Sequence, residues 1–296
     1  MSQQALRAAP AERPGTDPGG GRAGEVHHTI SAESPSLAAR AAELWQSRDL
    51  FLLLLAREIR VRYRQTLLGV AWVVLQPLVP AVIVAVVLGA FARLPSSGSP
   101  YLLFALSGFV LFGLFSGAVS RAATSFIRDG PLITRIYFPR SVLPLAGGAA
   151  AIVDFAVASV LLVAVILALG QPVGLSVLLA PVIALLTLIL ALAIGSAVAA
   201  ASAQYRDAAI AVPFALQLLL YASPVVYSSE LVPASVRPLY ALNPLVPLVE
   251  GFRAALLGTP WPAPGEVIGA GIVGVVIAAI AVLVFLRASR DLADVV

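Results

Sequence analysis

One acidic side chain falls well inside an apolar stretch of this sequence, Asp154, and a buried carboxylate there could relay protons or carry a coupling ion. Such a relay needs a chain of ionisable partners, and none stands beside it in any apolar stretch. The alternatives are a bond to neighbouring helices, or a place nearer the interface if residues 141–151 form an elbow. The remaining candidates for acid-base work, Asp129, Asp207, Glu230 and Glu250, are scattered along the chain on different sides of the membrane. That argues against a membrane enzyme acting on lipid-linked sugars. With no cysteine, disulfides, thiolate zinc sites and thiol nucleophiles are excluded together. His27 and His28 sit side by side in a polar tail, so no imidazole is left to bind metal within the membrane. All 19 basic residues are arginine, and a phosphate-cradling Walker A loop needs a lysine, so the chain is not expected to hydrolyse ATP itself.

Other residues suggest binding. Phe104, Gly108, Phe112 and Phe115 fall within an arc of about 80° on a helix; the rings could stack on sugars along a pathway or simply pack against lipid and neighbouring helices. Between residues 121 and 140, Arg128, Asp129, Arg135 and Arg140 are set among Phe126, Ile127, Leu132, Ile133, Ile136, Tyr137 and Phe138. So many apolar groups in a connecting loop suit a short helix docked into a partner, or a membrane-surface elbow. Arg57, Arg60, Arg62, Tyr63 and Arg64 suit a helix lying at the inner interface, or plain anchoring by positive charge. The alternation through residues 59–64 also looks strand-like, without a partner strand.

These groups must be positioned by membrane helices. Of 296 residues 60% are hydrophobic and 11% charged, against about 45–50% and about 25% in soluble domains. Residues 1–42 read as a disordered cytoplasmic tail, and 43–290 as one all-α integral-membrane domain. Uncharged stretches of about the 20 residues a span requires fall at about 67–92, 101–120, 141–169 (interrupted by Asp154), 173–203, 208–227 and 267–286, predicting six spans. Residues 228–258 are proline-rich. Asn243 before Pro244 predicts a helix start and Gly258 its end; the roughly 14-residue helix between them, about 21 Å long, is too short to cross and is expected to re-enter or to lie on the surface. Leu245, Leu248, Val249, Phe252, Ala255 and Leu256 fall on one face with Glu250 and Arg253 on the other, the pattern of a membrane boundary.

From Arg57 onward, eleven arginines fall in segments that an inside N-terminus would place in the cytoplasm, and three, Arg93, Arg237 and Arg253, outside. Both termini are therefore expected in the cytoplasm. With the arginines at helix ends, the net charge of +4 is not a nucleic-acid footprint.

The segment 62–77 (RYRQTLLGVAWVVLQP) resembles the approach to the first span in permease subunits of bacterial polysaccharide ABC exporters, the O-antigen, teichoic-acid and polyol-phosphate branch of the ABC type-2 permeases. Residues 138–145 (FPRSVLPL), 205–207 (YRD), 221–227 (YASPVVY) and 242–258 (LNPLVPLVEGFRAALLG) are similar to that family's later landmarks, in order, from about residue 45 onward. The resemblance implies an interfacial helix at 50–65, an ATPase-coupling helix around 126–139 (with Phe126, Ile127, Arg128, Asp129, Ile133, Arg135 and Phe138), and extracytoplasmic gate helices at 228–258 (with Asn243, Pro244, Glu250 and Arg253). Phe104, Phe112, Phe115, Tyr221 and Tyr227 would be pathway residues. It further implies a homodimer in the cytoplasmic inner membrane and a separate ATPase subunit that holds the ATP and Mg. No cofactor or metal is expected on this chain. The cargo would be a lipid-linked glycan; related permeases move drugs or small lipids instead.

Overall fold

The computed structural model describes residues 37–64, 69–129 and 138–291, and every regular element among them is helical. The segment 1–36, residues 67 and 68 of the first predicted span, and the stretch with Ile133 and Arg135 lie outside the described residues. Helix α1 (Leu37–Gln46) begins within the segment read as a tail, and α2 (Arg48–Arg64) follows. The alternation at 59–64 is thus helical, which satisfies its backbone groups locally where no strand is at hand.

Next come α3 (Val70–Val84), extended by the π-helical turns Ala85–Phe91, α4 (Tyr101–Ala123) and the single-turn α5 (Ser125–Arg128). The predicted third span divides at Ala150 into α6 (Val142–Ala149) and α7 (Ala151–Ala168), so the elbow before Asp154 is a helix of its own. A 3₁₀ turn (Leu175–Leu179) leads into α8 (Ala180–Gln204), and α9 (Arg206–Tyr221) returns. The proline-rich stretch holds α10 (Arg237–Tyr240) and α11 (Leu245–Leu257), and α12 (Pro264–Asp291) closes the domain. Five helices among the described residues are long and apolar enough to cross a membrane. The fifth predicted span, α9, has 16 residues and rises about 24 Å, short of a hydrocarbon core of about 30 Å.

Helix α4 is the centre of the bundle, buried along most of its length and packed against α8, α7, α3 and α11. In hydrocarbon no hydrophobic force draws helices together, so close backbone contact must do it. At Gly195 of α8 a β-carbon would stand 2.6 Å from the Ala122 β-carbon and 3.2 Å from the Val119 Cα of α4. The outer faces of α7, α8 and α12 keep large apolar groups exposed, among them Val160, Leu185, Ile272 and Val275, as lipid contact requires. A second apolar cluster, with Leu54, Phe126, Val142, Leu143 and Phe285, closes what is called here the arginine-rich end. The proline-rich segment forms the other.

Helix α11 corrects the boundary-helix expectation. Asn243 Oδ1 accepts the Leu245 N–H at 3.0 Å, and Gly258 ends the helix at a φ of 67° that favours glycine. The helix does not lie on a surface, however. Leu245, Val249, Phe252 and Ala255 are buried, and so is Arg253, from the side expected to be polar. It packs against α4, α8 and α12, with Glu250 and Leu248 half-buried.

The Gly195 contact yields a test. A Gly195→Ala variant should unfold at lower temperature in detergent, losing about 1–3 kcal/mol to overpacking. Gly271→Ala, where a β-carbon would meet nothing within 4 Å, should unfold as wild type or slightly higher.

Candidate functional site

Two arginines of α2, Arg57 and Arg62, reach acids of the turn after α5 and of α7. Arg57 pairs with Asp129, and Arg128 Nη2 lies 2.8 Å from Glu58 Oε1. Within each element Arg57 also meets Glu58, and Arg128 meets Asp129, both at 3.5 Å. Four charges of alternating sign therefore tie α2 to α5 and the turn after it. One turn further along α2, Arg62 Nη2 lies 2.9 Å from Asp154 Oδ2, and the Tyr63 hydroxyl donates to Oδ1 at 2.6 Å. Arg121, from the last turn of α4, pairs with the same carboxylate.

Asp154 is thus where α2, α4 and α7 meet. The elbow at Ala150 places it near the arginine-rich end, and both its oxygens are occupied by these three partners. Burial and the hydrogen bond to Asp154 push the Tyr63 phenol up to about 12, so it stays protonated and able to donate. Sequence reading named Arg57, Arg62 and Tyr63 without Glu58 or Arg121, which close the two clusters. The signal was the four-residue spacing of Glu58 from Arg62 on one helix, and the place of Arg121 at a helix end.

The docking expectation for α5 needs one correction. Phe126 is 5% exposed and stacks on Phe285 with ring centroids 6.3 Å apart, so it anchors α5 to α12 and faces inward. Ile127, 49% exposed, and Arg128 are the outward residues of that turn. Phe138 packs at the edge of the same cluster. Arg60 is exposed, and Arg64 is the last residue of α2.

At the proline-rich end the centre is Arg253, 2% exposed. Its Nε donates to the Phe104 carbonyl at 3.0 Å, Nη1 to Pro224 at 2.5 Å and Nη2 to Val225 at 2.6 Å. The guanidinium also sits 3.6 Å from the Phe104 ring centroid. Three carbonyls and a ring face thus satisfy this buried cation without a carboxylate in contact. Gly108 makes room for it, since a β-carbon there would stand 2.6 Å from Arg253 Nη2. The same 222–227 turn is held by the Tyr101 hydroxyl on the Val226 carbonyl at 2.9 Å and by Asn243 Nδ2 on the Ala222 carbonyl at 3.1 Å. Tyr101, which sequence reading missed, opens α4 directly beneath that turn.

Between the two ends lies a cleft of about 600 Å³, walled by α3, α4 and α7. Arg62, Arg121 and Asp154 form its floor, with Phe109, Phe112 and Phe155 above. Of the aromatic stripe, only Phe112 lines this cleft. Phe104 is committed to Arg253, and Phe115 is buried 6.3 Å from the Phe112 ring. Tyr221 is exposed, and the Tyr227 hydroxyl donates to its carbonyl at 2.8 Å. No group of acids and histidines suited to metal occurs among the described residues.

Residues 49–257 match the family model described as ABC-2 type transporter. The chain is 31% identical over 214 residues to an O-antigen export system permease protein of Myxococcus xanthus, covering 72% of this chain and 82% of the relative. Two Klebsiella pneumoniae proteins of the same description are 25% identical over 206 residues, 69% of this chain and 79% of each relative.

The floor of the cleft can be tested by mutation. Asp154→Asn leaves the Arg121 guanidinium, 15% exposed, without its carboxylate and should cost about 2 kcal/mol in detergent unfolding. Adding Arg121→Gln should cost less than the sum of the two single changes, by about 1 kcal/mol, because the pair acts as a unit.

Proposed function

The chain belongs to the ABC-2 type transporter family, and we propose that it is the membrane permease of an ATP-driven exporter that carries a lipid-linked polysaccharide of the O-antigen kind outward across the cytoplasmic membrane. The observation that carries this reading is the similarity to O-antigen export permeases over some 70% of the chain. Two copies form the path, beside a separate subunit that binds and hydrolyses ATP with Mg. Helix α9 with the turn after it completes a sixth crossing, so that both termini and the arginine-rich end face the cytoplasm, where positive charge is retained.

In this reading the partner subunit pushes on α5 and the loop that follows it. A turn of helix tied to α2 by four charges cannot move alone, so the interfacial helix travels with it. Helix α4 leads straight into α5 and carries Arg121. The displacement is therefore delivered to the wall of the cleft, and the path opens between the two copies. The polar floor of the cleft suits the headgroup side of a lipid carrier and its aromatic walls the apolar faces of sugars.

Deleting the gene should leave the glycan inside the cell and strip it from the surface, with export restored by the wild-type chain. Unchanged surface glycan in the deletion strain would overturn the reading in favour of another cargo. Within the complex, Ile127→Asp should leave insertion and melting intact while reducing co-purification of the ATPase subunit and export at least about 10-fold, the effect of losing one apolar anchor. Phe126→Asp should instead lower the yield of folded protein, because it buries a charge against Phe285.

A further inference from the structure

A second, smaller cavity of about 190 Å³ opens at the proline-rich end, enclosed by the 94–99 loop, α10, α11 and the 259–266 turn. Its volume equals about six waters at about 30 Å³ each, room for one sugar ring. Trp261 is 51% exposed, and a β-carbon added at Gly251 of α11 would stand 3.8 Å from its ring. Around it stand Glu230, Glu250, Glu266 and Arg237, with the buried hydroxyl of Tyr240. Ser97 enters from a left-handed backbone position, φ 50°, with its Oγ 3.3 Å from Ser228 Oγ. A serine in that region costs of order 1 kcal/mol and is kept where the surroundings hold it.

The charges choose among ligands. Three carboxylates face two guanidiniums, one of which, Arg253, is turned into the core, so a phosphate or other anion would be repelled. No group of acids among the described residues has the spacing to hold a metal ion. Burial raises the Glu250 carboxyl while a hydrogen bond from Ser229 lowers it, and the inner acid gains from a neutral hydroxyl donor. An indole face beside acceptor oxygens is what a sugar ring needs, since its C–H face is apolar and its hydroxyls donate.

We propose that this cavity is a saccharide subsite, one per chain, which takes a single uncharged sugar ring by stacking it on Trp261 while its hydroxyls donate to Glu230 and Glu266. The inference rests on the export reading above and adds a place at the outer mouth where the emerging glycan is held.

The assembled exporter in lipid nanodiscs provides the test. With 5-fluorotryptophan incorporated and Trp45→Phe and Trp72→Phe introduced, Trp261 is the one tryptophan of this chain, and its fluorine resonance is assigned by loss in Trp261→Phe. Titration with glucose, galactose, mannose, rhamnose and N-acetylglucosamine at millimolar concentrations should move that resonance saturably for at least one sugar. Glu266→Gln should weaken that binding about 10-fold. No saturable shift with any of these sugars, or an unaltered titration in Glu266→Gln, would overturn the subsite. In the deletion strain, Trp261→Ala should export less glycan than wild type and Trp261→Tyr should recover most of it. Full export by Trp261→Ala overturns the subsite alone, whereas a deletion strain with unchanged surface glycan overturns the export reading beneath it.

Discussion

Two guanidiniums and a phenol converge on the carboxylate of Asp154, and the arrangement of the arginine-rich end follows from keeping them there. A charge close to hydrocarbon must be answered by fixed partners, because water is scarce and the cost of an unpaired ion is several kcal/mol. Arg121 from α4 and Arg62 with Tyr63 from α2 supply the answer. The carboxylate therefore fixes where an interfacial helix can lie against the bundle. The second cluster, Arg57, Glu58, Arg128 and Asp129, repeats the logic, with its carboxylates largely buried and its guanidiniums half-exposed. Together its pairs hold α2 and α5 in register.

The two clusters and the buried Phe126–Phe285 stack make the arginine-rich end a single mechanical block built from α2, α5, the end of α4 and the end of α12. Above the block, α4 stays in contact with α8 through Gly195 and Ala122, so the central helix can hand a small displacement to its neighbours only by sliding against them.

Much of this was legible in the sequence because hydrocarbon imposes strong rules. Spans of about 20 apolar residues announced α3, α4, α7, α8 and α12, and the Asn243, Pro244 and Gly258 signals bounded α11 to within two residues. The elbow at 141–151 could be foreseen from Asp154, since a charge wants a helix start near the interface. Pairings between distant residues could not. Nothing in the spacing of Arg121 and Asp154, 33 residues apart, says that two helix ends meet. Helix α11 misled for a related reason: an arginine opposite an apolar face reads as solvent-facing unless three carbonyls wait for it, and carbonyls leave no mark in a sequence. Phe126 misled likewise, since an apolar residue in a loop can seal its own chain as readily as meet a partner.

Helix α9 stops after 16 residues, short of the roughly 20 that cross a hydrocarbon core. Non-helical backbone is tolerated at that depth only when protein takes up its freed carbonyls. Behind α9 those carbonyls, of Ala222, Pro224, Val225 and Val226, are taken by Asn243, Arg253 and Tyr101. Arg253 and its two helpers thus stand in for the helix's missing last turns. Residues 222–227 are therefore a strap instead of a rigid rod, held by three side chains from two separate segments, so that its shape follows theirs.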